Sequence, residues 1–204
     1  MTEKKILYIL LHIPKTGGTS FNVTIQEANK LVQNKVHAFV RHDNYYGLHE
    51  EYNQDNLEAR YLTFIRHPIG RSLSHFRMNT ENKGIFFEDW FEEKYHNFQT
   101  KFLMKALLKK ISEPTEVDVE NIKLMLKKRM WFVGLTEDLD KELPLLFKEM
   151  GVKHIDMYLH ANKSKKFYEL NSKEKELILQ KSKFDLEIYE FIIQLKKEGK
   201  FNLK

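Results

Sequence analysis

The stretch His12-Ile13-Pro14-Lys15-Thr16-Gly17-Gly18-Thr19-Ser20-Phe21 limits what this chain can fold into more than any other. A solid apolar run, Ile6 to Leu11, leads into it, and an amphipathic segment, Phe21 to Val32, follows. Strand, tight glycine turn, helix is a geometry that aims backbone N–H groups at an anion. Gly17 and Gly18 admit backbone angles closed to other residues and let the main chain come close to a ligand. Thr19 and Ser20 stand where hydroxyls of a first helical turn donate to phosphate oxygens. Lys15 adds a mobile point charge. Together these residues predict capture of a phosphate-like group. They do not form a Walker A loop, which needs its lysine after the last glycine and a hydroxyl on magnesium.

The rest of the chain reads as alternating strands and helices. Ile6–Ile13 is nearly continuous apolar sequence, the mark of a parallel strand covered on both faces. Ser20–Gln33 follows as a helix, and Val36–Val40 as a second strand. Arg41–Asp55 is polar and aromatic and reads as a loop. Arg60–Ile65 is a third strand, after which Pro68 opens a helix at its first position. Phe86–Tyr95, Thr100–Lys110 and Val117–Lys128 are helices. Trp131–Gly134 is a short fourth strand, and Glu137–Met150 a helix that accommodates Pro144 only by a kink or a late start. Val152–His160 is irregular or a fifth strand. Ser172–Lys181 and Phe184–Lys197 are helices, with a cap region at Ser172 to Lys175. The pattern predicts an α/β fold: one three-layer, P-loop-like domain over residues 1–204, with a central, mostly parallel sheet of about four to five strands flanked by helices. In such sheets ligands bind beyond the carboxyl ends of the strands, where His12–Thr19, Arg41–His42 and Arg66–Ser74 all fall.

A second constellation is Arg66-His67-Pro68-Ile69-Gly70-Arg71-Ser72-Leu73-Ser74-His75-Phe76. Arg66 ends a strand and Ser74 lies near the second turn of the following helix, so the two can hold one phosphate from two sides. Arg71 reads as a bridge to a carboxylate within the fold. The order Pro-Lys-Thr-Gly-Gly-Thr-Ser resembles the 5′-phosphosulfate loop of the sulfotransferases that use 3′-phosphoadenosine 5′-phosphosulfate (PAPS). Arg66 to Phe76 resembles the 3′-phosphate motif of the same enzymes, with His67 where that family usually has Asp. The likeness is to the carbohydrate branch that includes heparan sulfate 2-O-sulfotransferase. It spans Ile6 to Tyr189, although Asn82 to Lys128 matches little.

The resemblance implies PAPS as sulfuryl donor and a sugar or glycan-like hydroxyl as acceptor. It places Lys15, Thr16, Gly17, Gly18, Thr19 and Ser20 on the phosphosulfate, and Arg66 and Ser74 on the 3′-phosphate. Lys163 and Ser164, in His160–Lys166, match the late loop that closes over the nucleotide. His42 matches the branch's general base, with Arg41 in place of a glycine; His37 and His49 are rivals, and imidazole suits proton transfer near neutral pH. Arg41, and Asn97 and Gln99 in an Asn-x-Gln-Thr segment, fall near the acceptor cleft. Lys15 would stabilise or protonate the bridging oxygen as the sulfuryl group leaves.

Composition bounds the alternatives. The chain has no cysteine, which excludes disulfides, thiolate zinc sites and cysteine nucleophiles. No Asp/Glu pair flanks the loop, so no metal is expected. The net charge of +5 comes largely from lysines in the last forty or so residues, which read as a solvated surface. The apolar run near the N-terminus is too short, and lacks the cleavage site, for a signal peptide, and no stretch is long enough to span a bilayer, so a soluble cytoplasmic protein is expected. Nucleic-acid-binding signatures are not evident. Two other functions stay open on the residues alone: a small-molecule kinase on a related P-loop fold, and a non-catalytic module that binds an anionic polymer.

Overall fold

The computed structural model describes residues 5–18, 21, 39–42, 57–80, 84–152 and 168–203. Four strands, β1 (Lys5–Leu11), β2 (Phe39–His42), β3 (Leu57–Ile65) and β4 (Met130–Leu135), pair in the order β2-β1-β3-β4. Every pairing is parallel. Leu7 to Leu11 of β1 and Tyr61 to Ile65 of β3 are all buried, consecutive residues included. Successive strand residues point to opposite faces, so both faces of the sheet are covered.

Helices α1 (Pro68–Thr80), α2 (Phe87–Lys94), α3 (Phe98–Leu108), α4 (Glu116–Arg129), α5 (Leu139–Glu149), α6 (Ser172–Lys181) and α7 (Lys183–Lys197) supply that cover. The main core joins the strands to Leu103 and Leu107 of α3, Ile122 and Leu126 of α4, Leu143 and Phe147 of α5, and Ile188 and Ile192 of α7. A second core gathers Phe76 of α1, Phe87, Trp90 and Phe91 of α2, Leu170 just before α6 and Ile178 within it. Of the aromatics between residues 86 and 91, Phe87, Trp90 and Phe91 therefore serve packing, and Phe86 is exposed. Among the described residues no helix is long and apolar enough to cross a membrane.

The local chemistry sets the boundaries. Pro68 opens α1, as its fixed φ and missing N–H favour. Thr115 and Asp118 cap the start of α4 reciprocally, and Asn171 and Glu174 do the same for α6. The α6 cap is thus Asn171, one residue before the expected cap region. A 3-10 turn, Thr136–Asp138, precedes α5, so the helix starts late and Pro144 falls in its second turn. Gly134 is a packing glycine: an added Cβ would lie 2.4 Å from the Phe64 ring.

Two boundaries differ from expectation at the site. β1 stops at Leu11, so His12 and Ile13 already belong to the loop. β2 runs through Arg41 and His42, which pair with Leu10 and Leu11, instead of ending before them. A parallel strand continues as long as its neighbour offers backbone partners, and β1 offers them to Leu11. The bulk of the expected helix Ser20–Gln33, the loop after His42 and the expected fifth strand beyond Val152 lie outside the described residues.

Candidate functional site

The loop after β1 is built by close approach. The Thr16 hydroxyl donates to Ile13 O at 2.8 Å, closing a turn around Pro14 and Lys15. Lys15 and Gly17 both take positive φ, 74° and 89°. Gly17 needs the freedom of glycine, whereas Lys15 holds a left-handed conformation that costs a side-chain-bearing residue about 1–2 kcal/mol. Gly18 is required for space, since a Cβ there would lie 2.1 Å from Cδ2 of the buried His12 ring. The first helical turn then begins, with the Phe21 N–H donating to Gly17 O at 3.1 Å.

Tertiary contacts strap this loop to the ends of β3 and β4. The Thr136 hydroxyl, just past β4, lies 2.8 Å from Thr16 O and 3.3 Å from Ile65 O, bridging the loop to β3. Arg66, the first residue past β3, donates from Nη1 to Lys15 O at 3.2 Å. Its guanidinium lies over the first turn of α1, where a Cβ at Gly70 would come within 3.0 Å of Nε. Arg71 of α1 donates from Nε to Pro14 O at 3.4 Å. The Lys15 ammonium sits 3.5 Å from Met78 Sδ, above the same helix. Ser74 is half-buried in the second turn of α1. The two constellations, Pro14–Gly18 and Arg66–Ser74, distant in sequence, are therefore neighbours at the carboxyl end of a parallel sheet.

Three cations thus surround two residues of backbone, and each has a depressed pKa. Burial lowers that of Lys15, and the charges of Arg66 and Arg71 lower it further. Burial lowers that of Arg66; Glu137 opposes this and Arg77 adds to it. Burial brings Arg71 down to about 10, against the pull of Asp185 and Tyr95, so it stays charged at neutral pH. Arg71 is 1 % exposed, its guanidinium lies 3.6 Å from the Phe98 ring centroid, and its two Nη atoms have no hydrogen-bond partner among the described residues. Like charges held together in a partly dry site make a strong attractor for an anion.

Behind Arg71 lies His75, in contact with the rings of Trp90, Tyr95 and Phe98. Burial, then Arg71 and Lys15, push its pKa from 6.5 down to about 3. The ring is neutral in the folded protein at every pH above that. As pH falls below about 6.5, the unfolded chain takes up a proton that the folded protein refuses, so stability declines progressively until about pH 3. His75→Phe is expected to flatten this limb of a denaturation series measured from pH 7 to pH 4. An unchanged slope would show that other groups set the acid sensitivity.

The acceptor-side residues fare differently. Gln99 is fully buried and places both ends of its amide on the backbone of Arg66. Asn97 accepts from Phe184 and Asp185 N–H groups at the start of α7. Gln99 thus offers no surface to an acceptor, whereas half-buried Asn97 commits its Oδ1 to the start of α7. Thr16, expected on the phosphosulfate, turns its buried hydroxyl to its own loop. Arg41 and His42 are placed by register at the carboxyl end of β2, with His42 beside Leu11. Thr19, Ser20, Lys163, Ser164 and the rival histidines His37 and His49 lie outside the described residues.

Sequence reasoning gave Thr136 no role, since it falls between the strand read at Trp131–Gly134 and the helix expected from Glu137. Arg71, read as a bridge to a carboxylate, feels the charge of Asp185 but donates to the Pro14 carbonyl, a contact that depends on how α1 docks. Among the described residues no group of three or more His, Asp or Glu side chains could hold a metal ion. No protein-family model matches the chain, and no curated protein matches its sequence significantly.

Proposed function

We propose that this chain is a sulfotransferase that moves the sulfuryl group of PAPS to a hydroxyl of a sugar or glycan-like acceptor, on a P-loop-like domain of the cytoplasm. One observation carries the proposal: the Arg66 guanidinium rests on the carbonyl of Lys15. The residues that would hold the two phosphate ends of one nucleotide are thereby adjacent. Beside them, buried Arg71, whose Nη atoms have no hydrogen-bond partner among the described residues, adds positive charge that favours a ligand of high negative charge.

PAPS supplies an activated S–O bond. Lys15, with Gly17 to Ser20, holds the phosphosulfate, and Arg66 with Ser74 holds the 3′-phosphate, to which Lys163 and Ser164 contribute. His42 takes the acceptor hydroxyl's proton as its oxygen forms the new bond to sulfur. The bond from sulfur to the 5′-phosphate oxygen breaks on the opposite side, and Lys15 neutralises the charge that develops there. Its depressed pKa makes the ammonium a better proton donor to that oxygen. Arg41, at the same end of the sheet, suits an acidic acceptor. The products are a sulfate ester and adenosine 3′,5′-bisphosphate.

The test has two steps. Adenosine 3′,5′-bisphosphate without magnesium should raise the melting temperature; at a hundredfold excess over its Kd the gain is about 2.7 kcal/mol. Stabilisation by ATP–magnesium instead would point to a kinase. Labelled PAPS with mixed glycan acceptors should then yield labelled sulfate ester, and His42→Ala should lose turnover while keeping nucleotide affinity. Full activity in His42→Ala would move the base elsewhere, and no binding with no transfer would overturn the assignment.

A further inference from the structure

Arg66 is the first residue beyond the β3 ladder, so its own N–H and C=O need partners from outside the sheet. Gln99 provides both: Oε1 accepts the Arg66 N–H at 2.9 Å, and Nε2 donates to Arg66 O at 2.8 Å. One side-chain amide thus extends the strand by a residue and sets the direction in which the guanidinium leaves it. Gln99 is in turn held by its backbone, because it sits in the first turn of α3, where N–H groups lack helical partners.

Asp185 of α7 meets that need. Its carboxylate accepts the Gln99 N–H at 3.2 Å, the Thr100 N–H at 2.8 Å and the Thr100 hydroxyl at 2.7 Å. Asn97 returns the favour: its Oδ1 accepts the Phe184 N–H at 3.0 Å and the Asp185 N–H at 3.4 Å. Two helix starts cap each other, with Gln99 aimed from the junction at the end of β3. Asp185 is 2 % exposed, so neither it nor Gln99 reaches solvent or a ligand. Asp185 also faces Arg71, which holds Pro14 O, so its charge bears on the same loop from a second side.

We propose that Asp185 and Gln99 are positioning residues that act through Arg66, aligning its guanidinium with the Lys15 carbonyl and with any anion bound there. This rests on the anion-binding assignment of the loop above. A cap serving α3 alone would leave Arg66 indifferent to either residue.

The experiment uses the full chain with Gln99→Met and Asp185→Asn. Amide hydrogen exchange at Arg66, which needs no nucleotide, should speed up about tenfold in both variants, because the Arg66 N–H loses its acceptor or that acceptor is loosened. Faster exchange at Gln99 and Thr100 with Arg66 unchanged would reduce Asp185 to a helix cap and overturn the proposal. Affinity for adenosine 3′,5′-bisphosphate should fall about tenfold in Gln99→Met, and this loss should vanish in an Arg66→Ala background. Equal losses in both backgrounds would also overturn it. Should the unsubstituted protein fail to bind that nucleotide, the sulfotransferase assignment falls while the exchange at Arg66 still decides the positioning role. Should Asp185→Asn not fold, Gln99→Met, which leaves the cap intact, decides by itself.

Discussion

Lys15→Gly is expected to cut sulfuryl transfer by about 10²–10³-fold, the usual effect of removing one donor aimed at a developing charge. The same variant should not lower the melting temperature. Lys15 holds φ at 74°, a conformation glycine adopts without steric cost. Relief of about 1–2 kcal/mol in the folded protein offsets the extra freedom glycine gains in the unfolded chain, about 0.5–1 kcal/mol. Among the described residues the ammonium bonds Met78 Sδ, a weak acceptor, so little else is lost. Removing one of three crowded cations also eases repulsion on Arg66 and Arg71. Activity assays beside thermal melts check the split. Retained turnover would remove Lys15 from the chemistry, and a marked fall in melting temperature would make its role architectural. Few positions allow so clean a separation, because strained non-glycine backbone is retained where function requires the side chain.

The second large effect is expected at Gly18. In Gly18→Ala the new Cβ would overlap Cδ2 of His12 at 2.1 Å, and that ring is buried at the end of β1. Either the ring or the loop must move. Overpacking of this kind costs about 1–3 kcal/mol, which lowers the melting temperature of a chain this size by several degrees. Displacement of the loop should also weaken nucleotide binding by more than tenfold, since misplacement near 1 Å can cost about 10²-fold. His12→Ala combined with Gly18→Ala should recover much of the stability, because it vacates the space the methyl needs. A double variant as unstable as the sum of the two single ones would mean that the glycine serves something other than the approach of His12.

Much of the architecture was legible from local pattern. The unbroken apolar run of β1, the proline that opens α1 and the two-glycine turn act over a few residues, and the structure places each element where those residues indicated. Boundaries slipped where a partner strand or a neighbouring side chain had the last word. β2 extends through His42 because β1 is there to pair with it, and α6, which starts at Ser172 as expected, takes its cap from Asn171 because Asn171 and Glu174 satisfy each other's backbone. Gln99 shows the limit for the site. The resemblance of its Asn-x-Gln-Thr segment put it near the acceptor cleft, yet its amide closes on Arg66, 33 residues earlier in the chain.

The chain by itself determined which residue types stand at the strand ends: a two-glycine turn after an apolar run, a lysine and an arginine, and no thiol. These are short-range properties, carried by residue type and spacing. Only the tertiary structure decided that Arg66 rests on the Lys15 carbonyl 51 residues away, that Thr136 straps the loop from 120 residues away, and that Asp185 organises the helix start 86 residues before it. Such contacts follow from strand order and helix docking, which arise from the burial of both faces of one sheet and leave no periodic trace in sequence.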